Sequence, residues 1–296
     1  MKRYWLAMLM AAGLLQGVRA ADGATALMEC TFKLFSREST ATCFLLHPDA
    51  TPTNVFLVTA SHVFAKMTND EALLVLRVPG TNDTFSRKDY PLKVKVNRQP
   101  AWYKHPTEDI AVLKLPADPK QKFPSLPLSC LADEKLLKKL DLHICSDVSI
   151  FGYPTRFEAN NAGFPIGRHG SIASHPLTPI SANKFFLVDF STFEGDSGGP
   201  VFITHLNQPA ILGIVLAQFR HDERIKTLYE ENIIHHPLNI SKVVHASFIR
   251  EAVLAAAKVL SLENNSGQKS AVEGQFSKAW KNRPQSFHCL GKSWAP

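Results

Sequence analysis

Beyond its first twenty residues the sequence has no run approaching the roughly 18 uncharged apolar residues that a membrane-spanning helix needs, so no stable membrane insertion is expected. It also lacks any arginine-rich run and any interleaving of basic with aromatic residues. Its formal charge of +7 falls to +4 without Lys2, Arg3 and Arg19, a balance that serves solubility and argues against a nucleic-acid partner. No group of cysteines and histidines has metal-ligand spacing, so neither a metal nor a cofactor is expected. Cysteine is scarce, with five residues at 30, 43, 130, 145 and 289, an odd number that leaves one over. Helical periodicity is scarce too. Only Ser241–Leu260 has apolar residues at i, i+3 and i+4 spacing behind a serine able to cap it.

What is present begins with a leader. Lys2 and Arg3 precede the apolar run Tyr4–Leu15, and Val18-Arg19-Ala20 closes it, the charged-apolar-small order of a cleavable secretory signal over residues 1–20. A periplasmic or extracellular location follows, and there disulfides can form. Cys30 and Cys43 lie on apolar stretches either side of a turn-like Ser36–Ser39, which predicts a hairpin with the two thiols nearly opposite. Cys130 and Cys145, which bracket a charged segment, form the second candidate pair, with free buried thiols as the alternative for all four.

From Leu27 to Leu115, and again from Asp147 to Phe219, short runs rich in Val, Leu, Phe and Thr alternate with polar turns. A proline-rich stretch over Pro116–Pro127 separates the two sets. The organisation expected is a leader (1–20), a β-rich unit (21–120), a second β-rich unit with its crossover and helix (121–258), and a polar, flexible tail (259–296).

Three short motifs carry chemistry. "FEGDSGGPVF" sets Ser197 between Asp196 and two glycines, ahead of an apolar strand. A serine hydroxyl is a weak nucleophile at neutral pH and needs an imidazole within hydrogen-bond reach, oriented by a carboxylate. "VFLVTASHVF" brings His62 off the end of an apolar strand after two small residues, and "EDIAVLKL" sets Asp109 at the lip of another, where a charge needs a partner. A lone histidine or aspartate would more often be structural; the three in order make the constellation specific.

"TASH", "EDIAVLKL" and "GDSGGP", in that order over residues 28–255, resemble the chymotrypsin/trypsin family of serine endopeptidases, especially its bacterial members. The resemblance implies an all-β fold of two antiparallel Greek-key barrels, an active site in the cleft between them, and a C-terminal α-helix. It implies His62 as general base, Asp109 as the acid orienting it, Ser197 as nucleophile, and the N–H groups of Gly195 and Ser197 as the oxyanion hole. Protein or peptide substrates would be cleaved through an acyl-enzyme. The specificity pocket would be built from Ser191, Thr192, Leu216, Ala217 and Gln218. Ser191 stands where members that cleave after Lys or Arg carry an aspartate, so uncharged residues of small or medium size are expected before the cleaved bond, with Asp189 nearby as the alternative that would admit a basic one.

Two departures are visible. No "IVGG"-like stretch supplies an activation terminus for Asp196, which must pair with something else or stay near the surface, and bulky Gln218 narrows the cleft. Both motivate an alternative, a catalytically weak domain used for binding or adhesion. An α/β-hydrolase is disfavoured, because the G-x-S-x-G elbow is missing around Ser197 and the triad order differs.

Overall fold

The computed structural model describes residues 22–37, 39–226 and 230–266. The leader at 1–20, Cys289 and residues 267–296 of the expected tail lie outside the described residues. The chain is mostly strand, as expected. Its first half comprises β1 (Thr31–Phe35), β2 (Thr40–His47), β3 (Phe56–Thr59), β4 (Glu71–Pro79), β5 (Phe85–Lys93), β6 (Lys95–Val96), β7 (Gln99–Pro100), β8 (Tyr103–Lys104), β9 (Ala111–Lys114) and β10 (Leu126–Pro127). The main sheet runs β5-β4-β1-β2-β3-β9-β8, with β10 joining β2 in parallel. Phe32, Phe44, Leu46, Phe56 and Leu57 are fully buried inside it, each worth about 1.5–3 kcal/mol in transfer out of water.

The second half comprises β11 (Asp147–Gly152), β12 (Ile166–Ile172), β13 (Phe185–Asp189), β14 (Pro200–His205), β15 (Gln208–Lys226) and β16 (Glu231–His245), closed as a barrel in the order β11-β12-β13-β16-β15-β14. The helices are α1 (Gly23–Glu29), α2 (Ser61–Lys66), α3 (Glu134–Lys139) and α4 (Ala246–Ser266).

Several expectations are corrected. The predicted helix from Ser241 begins only at Ala246, because Ser241–His245 ends β16. Val243 and Val244 there are buried on successive faces, a pattern that from sequence reads like helix. α4 continues to Ser266, so residues 259–266 of the expected tail are helical. α1–α3, six or seven residues each, are too short to display periodicity. β16 is unexpected as a strand, since Pro237 and the His235-His236 pair mask its alternation, yet β15 holds it in register from Gly213↔His245 to Lys226↔Glu231. Beyond the barrel the two form an exposed ribbon.

The disulfide expectation is also corrected: Cys30, Cys43, Cys130 and Cys145 are all free. The β1–β2 hairpin does form, but its register puts Phe32 across from Cys43, and Cys30 donates no rung to it, accepting instead from Leu45 N (2.9 Å). Cys130 is buried in a short 3-10 turn, whereas Cys145 is exposed. Burial pushes the Cys30 thiol up to about 12 and the Cys130 thiol up to about 11, the behaviour of inert structural cysteines.

His245 joins β16 to α4. It is fully buried, its ring 4.9 Å from that of Phe186, and neither ring nitrogen reaches a partner at hydrogen-bonding geometry. Burial lowers its pKa to about 4, against weaker upward pulls from the nearby backbone of Asn183, from Glu134 and from the backbone of Leu177. The unfolded chain therefore binds a proton between pH 6.5 and 4 that the folded chain excludes. Stability is full above the unfolded value and is lost as pH falls through this window, by up to about 3 kcal/mol. Thermal unfolding of His245→Leu across pH 4–7 should show a flatter acid limb than wild type; an equally steep limb refutes the assignment.

Candidate active site

α2 follows directly from β3, so that His62 sits in the first turn of a short helix, not on the strand end itself. Asp109 reaches this turn from the loop before β9. Its Oδ2 accepts from His62 Nδ1 at 2.6 Å, and its Oδ1 accepts from His62 N at 2.9 Å and from Ser61 Oγ at 2.5 Å. Burial raises the Asp109 pKa, but these three bonds together with the imidazole charge outweigh it and hold the carboxyl well below the usual range. An ionised carboxylate only accepts, so Nδ1 carries the proton and Nε2 is left as the basic nitrogen. The contribution of Ser61 was not read from sequence. Neither was that of His105, buried in the loop after β8, whose Nδ1 accepts from Thr107 N (3.3 Å) and Glu108 N (3.0 Å) and so shapes the loop that presents Asp109.

The segment carrying Ser197 abuts the same strands. Thr42 N donates to Ser197 O (3.0 Å) and Thr42 Oγ1 to Gly195 O (2.7 Å). A side chain at Gly198 would strike Thr42 O and Thr59 Oγ1, and Thr59 lies three residues before His62. The Ser197 hydroxyl donates to Leu216 O at 3.3 Å, and among the described residues no hydrogen bond joins it to His62.

Two peptide planes define the turn. Glu194 O accepts from Thr155 N (2.7 Å) and Asp196 O from Gly199 N (2.8 Å). In a trans peptide the N–H points opposite its carbonyl, so each bond turns the N–H of the next residue, Gly195 or Ser197, to the other side. Neither N–H meets an acceptor among the described residues. Gly195 has φ +101°, and a Cβ there would collide with Tyr153 O, so only glycine fits. Thr155 and Arg156, which present the Thr155 N–H, are themselves left-handed at φ +48° and +71°, about 1–3 kcal/mol each for residues with side chains.

Asp196 is fully buried. Its Oδ1 pairs with Arg168 of β12 and its Oδ2 accepts from Phe193 N at 2.8 Å. Burial still raises its pKa, with the Arg168 guanidinium opposing. Arg168 also lies 4.4 Å over the Phe190 ring and donates to Ser191 O at 3.2 Å. The partner that Asp196 required thus comes from inside the barrel.

The five expected pocket residues lie on two segments, Ser191-Thr192 just after β13 and Leu216–Gln218 on β15. Ser191 Oγ donates to Asn239 Oδ1 (2.9 Å), and the Thr192 hydroxyl is bound to that of Ser241, which donates to Phe190 O (2.6 Å). Thr192 is therefore buried, with its hydroxyl already bonded inside the protein. On β15 Leu216 is buried, while Ala217 and Gln218 are exposed. Asn239 and Ser241 were missed because they come from β16, some fifty residues on. Replacing Arg168 by Met leaves Asp196 buried without its counter-charge, so urea unfolding at pH 7 should show a loss of about 3–5 kcal/mol, partly recovered in Arg168→Met/Asp196→Asn; an unchanged midpoint overturns the pairing's importance.

A family model described as a trypsin-like peptidase domain matches residues 41–208, more than half of the chain. Comparison with curated proteins finds no match. Among solved structures, the chain is similar to an inactive mutant form of Rv3671c from M. tuberculosis, at 19% identity over 78% of this chain and 87% of that one, with a TM-score of 0.44. It is similar also to the protease Anisep from Arthrobacter nicotinovorans, at 12% identity over 79% and 97%, TM-score 0.47. A thermostable serine protease, AL20, from an extremophilic microorganism matches at 12% identity over 78% and 98%, TM-score 0.43. With more than half of its length matched by that model, the chain belongs to the family of trypsin-like peptidase domains.

Proposed function

We propose that the protein is an exported serine endopeptidase that hydrolyses peptide bonds through an acyl-enzyme, with His62, Asp109 and Ser197 as its triad. The observation that carries this reading is the pairing of His62 Nδ1 with Asp109 at 2.6 Å together with a glycine turn whose Gly195 and Ser197 N–H groups meet no acceptor among the described residues. In the proposed cycle the Ser197 hydroxyl leaves Leu216 O, gives its proton to His62 Nε2 and bonds to the scissile carbonyl carbon. The carbonyl oxygen becomes an oxyanion between the N–H groups of Gly195 and Ser197, and ionised Asp109 stabilises the imidazolium. His62 then passes the proton to the leaving amine. Water repeats the sequence on the ester, releasing the acid and restoring Ser197. Export rests on the leader pattern of residues 1–20, and N-terminal sequencing of secreted protein should begin near Ala21; retention of Met1 argues against it.

The pocket supports uncharged residues of small or medium size before the cleaved bond. Ser191 and Asn239 bond to each other and bring no charge, while Arg168 is committed to Asp196. A second reading, a catalytically weak domain used for binding or adhesion, is favoured by the bond from Ser197 to Leu216 O in place of one to His62. A fluorophosphonate separates the two: wild type should be labelled and Ser197→Ala not, whereas a folded, unlabelled wild type supports the binding module. In Asp109→Asn, turnover of a peptide substrate should fall about 10⁴-fold. Sequencing the cut ends of a digested peptide library should give a profile without Lys or Arg before the cleaved bond, and a profile dominated by either sinks the pocket assignment.

A further inference from the structure

We infer that Lys33 is a positioning residue for the oxyanion hole, acting across the boundary between the two halves of the fold through the Tyr153–Arg156 turn. This rests on the hydrolytic reading proposed above. Lys33 lies on β1 and is 9% exposed, unusual burial for a lysine. Its Nζ donates to Arg156 O at 2.8 Å and to Glu158 Oε1 at 2.6 Å, and Glu158 is in turn held by Arg87 Nη1 at 2.8 and 2.9 Å. The charge is thus fully paired, and it is spent on a backbone carbonyl belonging to the other half.

That carbonyl closes a turn with two consecutive left-handed residues bearing side chains, Thr155 and Arg156, a conformation that persists only where its surroundings over-determine it. The turn is tied at one end by Tyr153, fully buried with its hydroxyl on Gly163 O at 3.0 Å, and at the other by Lys33. Between these ties the Thr155 N–H is aimed at Glu194 O, and that bond sets which way the Gly195 N–H points. Lys33 stands directly across β1–β2 from Thr42, the residue that bonds Gly195 O and Ser197 O. One rung of one hairpin therefore holds both flanks of the hole. Without Lys33 the turn loses its outer tie, Thr155 moves off Glu194 O, and the Glu194–Gly195 peptide becomes free to rotate its N–H away.

The test uses the full chain, a fluorogenic peptide carrying the cleavage site preferred in the library, and the boronic acid of the same peptide, whose adduct with Ser197 fills the hole. For Lys33→Met, kcat is expected to fall about 10²-fold, as for loss of one oxyanion donor, with KM within about twofold and boronate affinity falling with kcat. In Glu158→Gln, which keeps an acceptor for Lys33, kcat should stay within a few-fold of wild type. Unchanged kcat and boronate affinity in folded Lys33→Met overturn the assignment, as does a loss confined to KM. If Lys33→Met does not fold, Lys33→Met/Glu158→Leu, which removes both charges of the pair, carries the same expectation and the same refutation; failure of both to fold makes Lys33 structural and overturns the proposal. A wild type that cleaves nothing and takes no fluorophosphonate overturns instead the hydrolytic reading on which this rests.

Discussion

The contact of β2 with the turn around Ser197 is the constraint on which the rest of the structure depends. Thr42 spends its backbone N–H and its hydroxyl on the carbonyls of Ser197 and Gly195, and Gly198 lets the turn approach Thr59 closely enough for both bonds to form. His62 and Asp109 belong to one half of the chain and Ser197 to the other. This seam, two hydrogen bonds and a missing side chain, joins the β2–β3 side of the first half to the turn that carries Ser197.

Behind the seam, a buried charge organises the turn from the opposite side. Asp196 cannot be left unpaired at zero exposure, and Arg168 meets it from β12, so the segment Phe193–Ser197 is held by an ion pair, by Phe193 N on the same carboxylate and by Thr155 N on Glu194 O. The peptide planes are thereby oriented before any substrate arrives. Preorganised N–H groups of this kind reorganise little as an oxyanion develops, which is what makes such a turn suited to acyl transfer. The counter-charge to Asp196 is a side chain of the barrel strand β12.

The legible part of the fold was the part with local signals. Runs such as Phe56–Thr59, Ala111–Lys114 and Pro200–His205 are short, apolar and bounded by turn formers, and each is a strand. β16 escaped because its outer end, Glu231–Asn239, is exposed on both faces and burial alternates only over Ile240–Val243. The cysteine hairpin was read correctly as a hairpin and wrongly as a disulfide, since a turn's length does not reveal which residues end up across from one another.

From sequence alone came the class of fold and the order His62, Asp109, Ser197, because each of these is written in neighbouring residues: a strand, a turn glycine, a carboxylate beside an apolar run; for Asp196 the sequence left pairing and a place near the surface both open. Which side chain answers Asp196, what the Thr192 hydroxyl binds, and what holds the Glu194 carbonyl were decided only by tertiary structure. Arg168, Ser241 and Thr155 lie between about thirty and fifty residues from those partners, and no local pattern encodes a pairing that exists only once a barrel has closed.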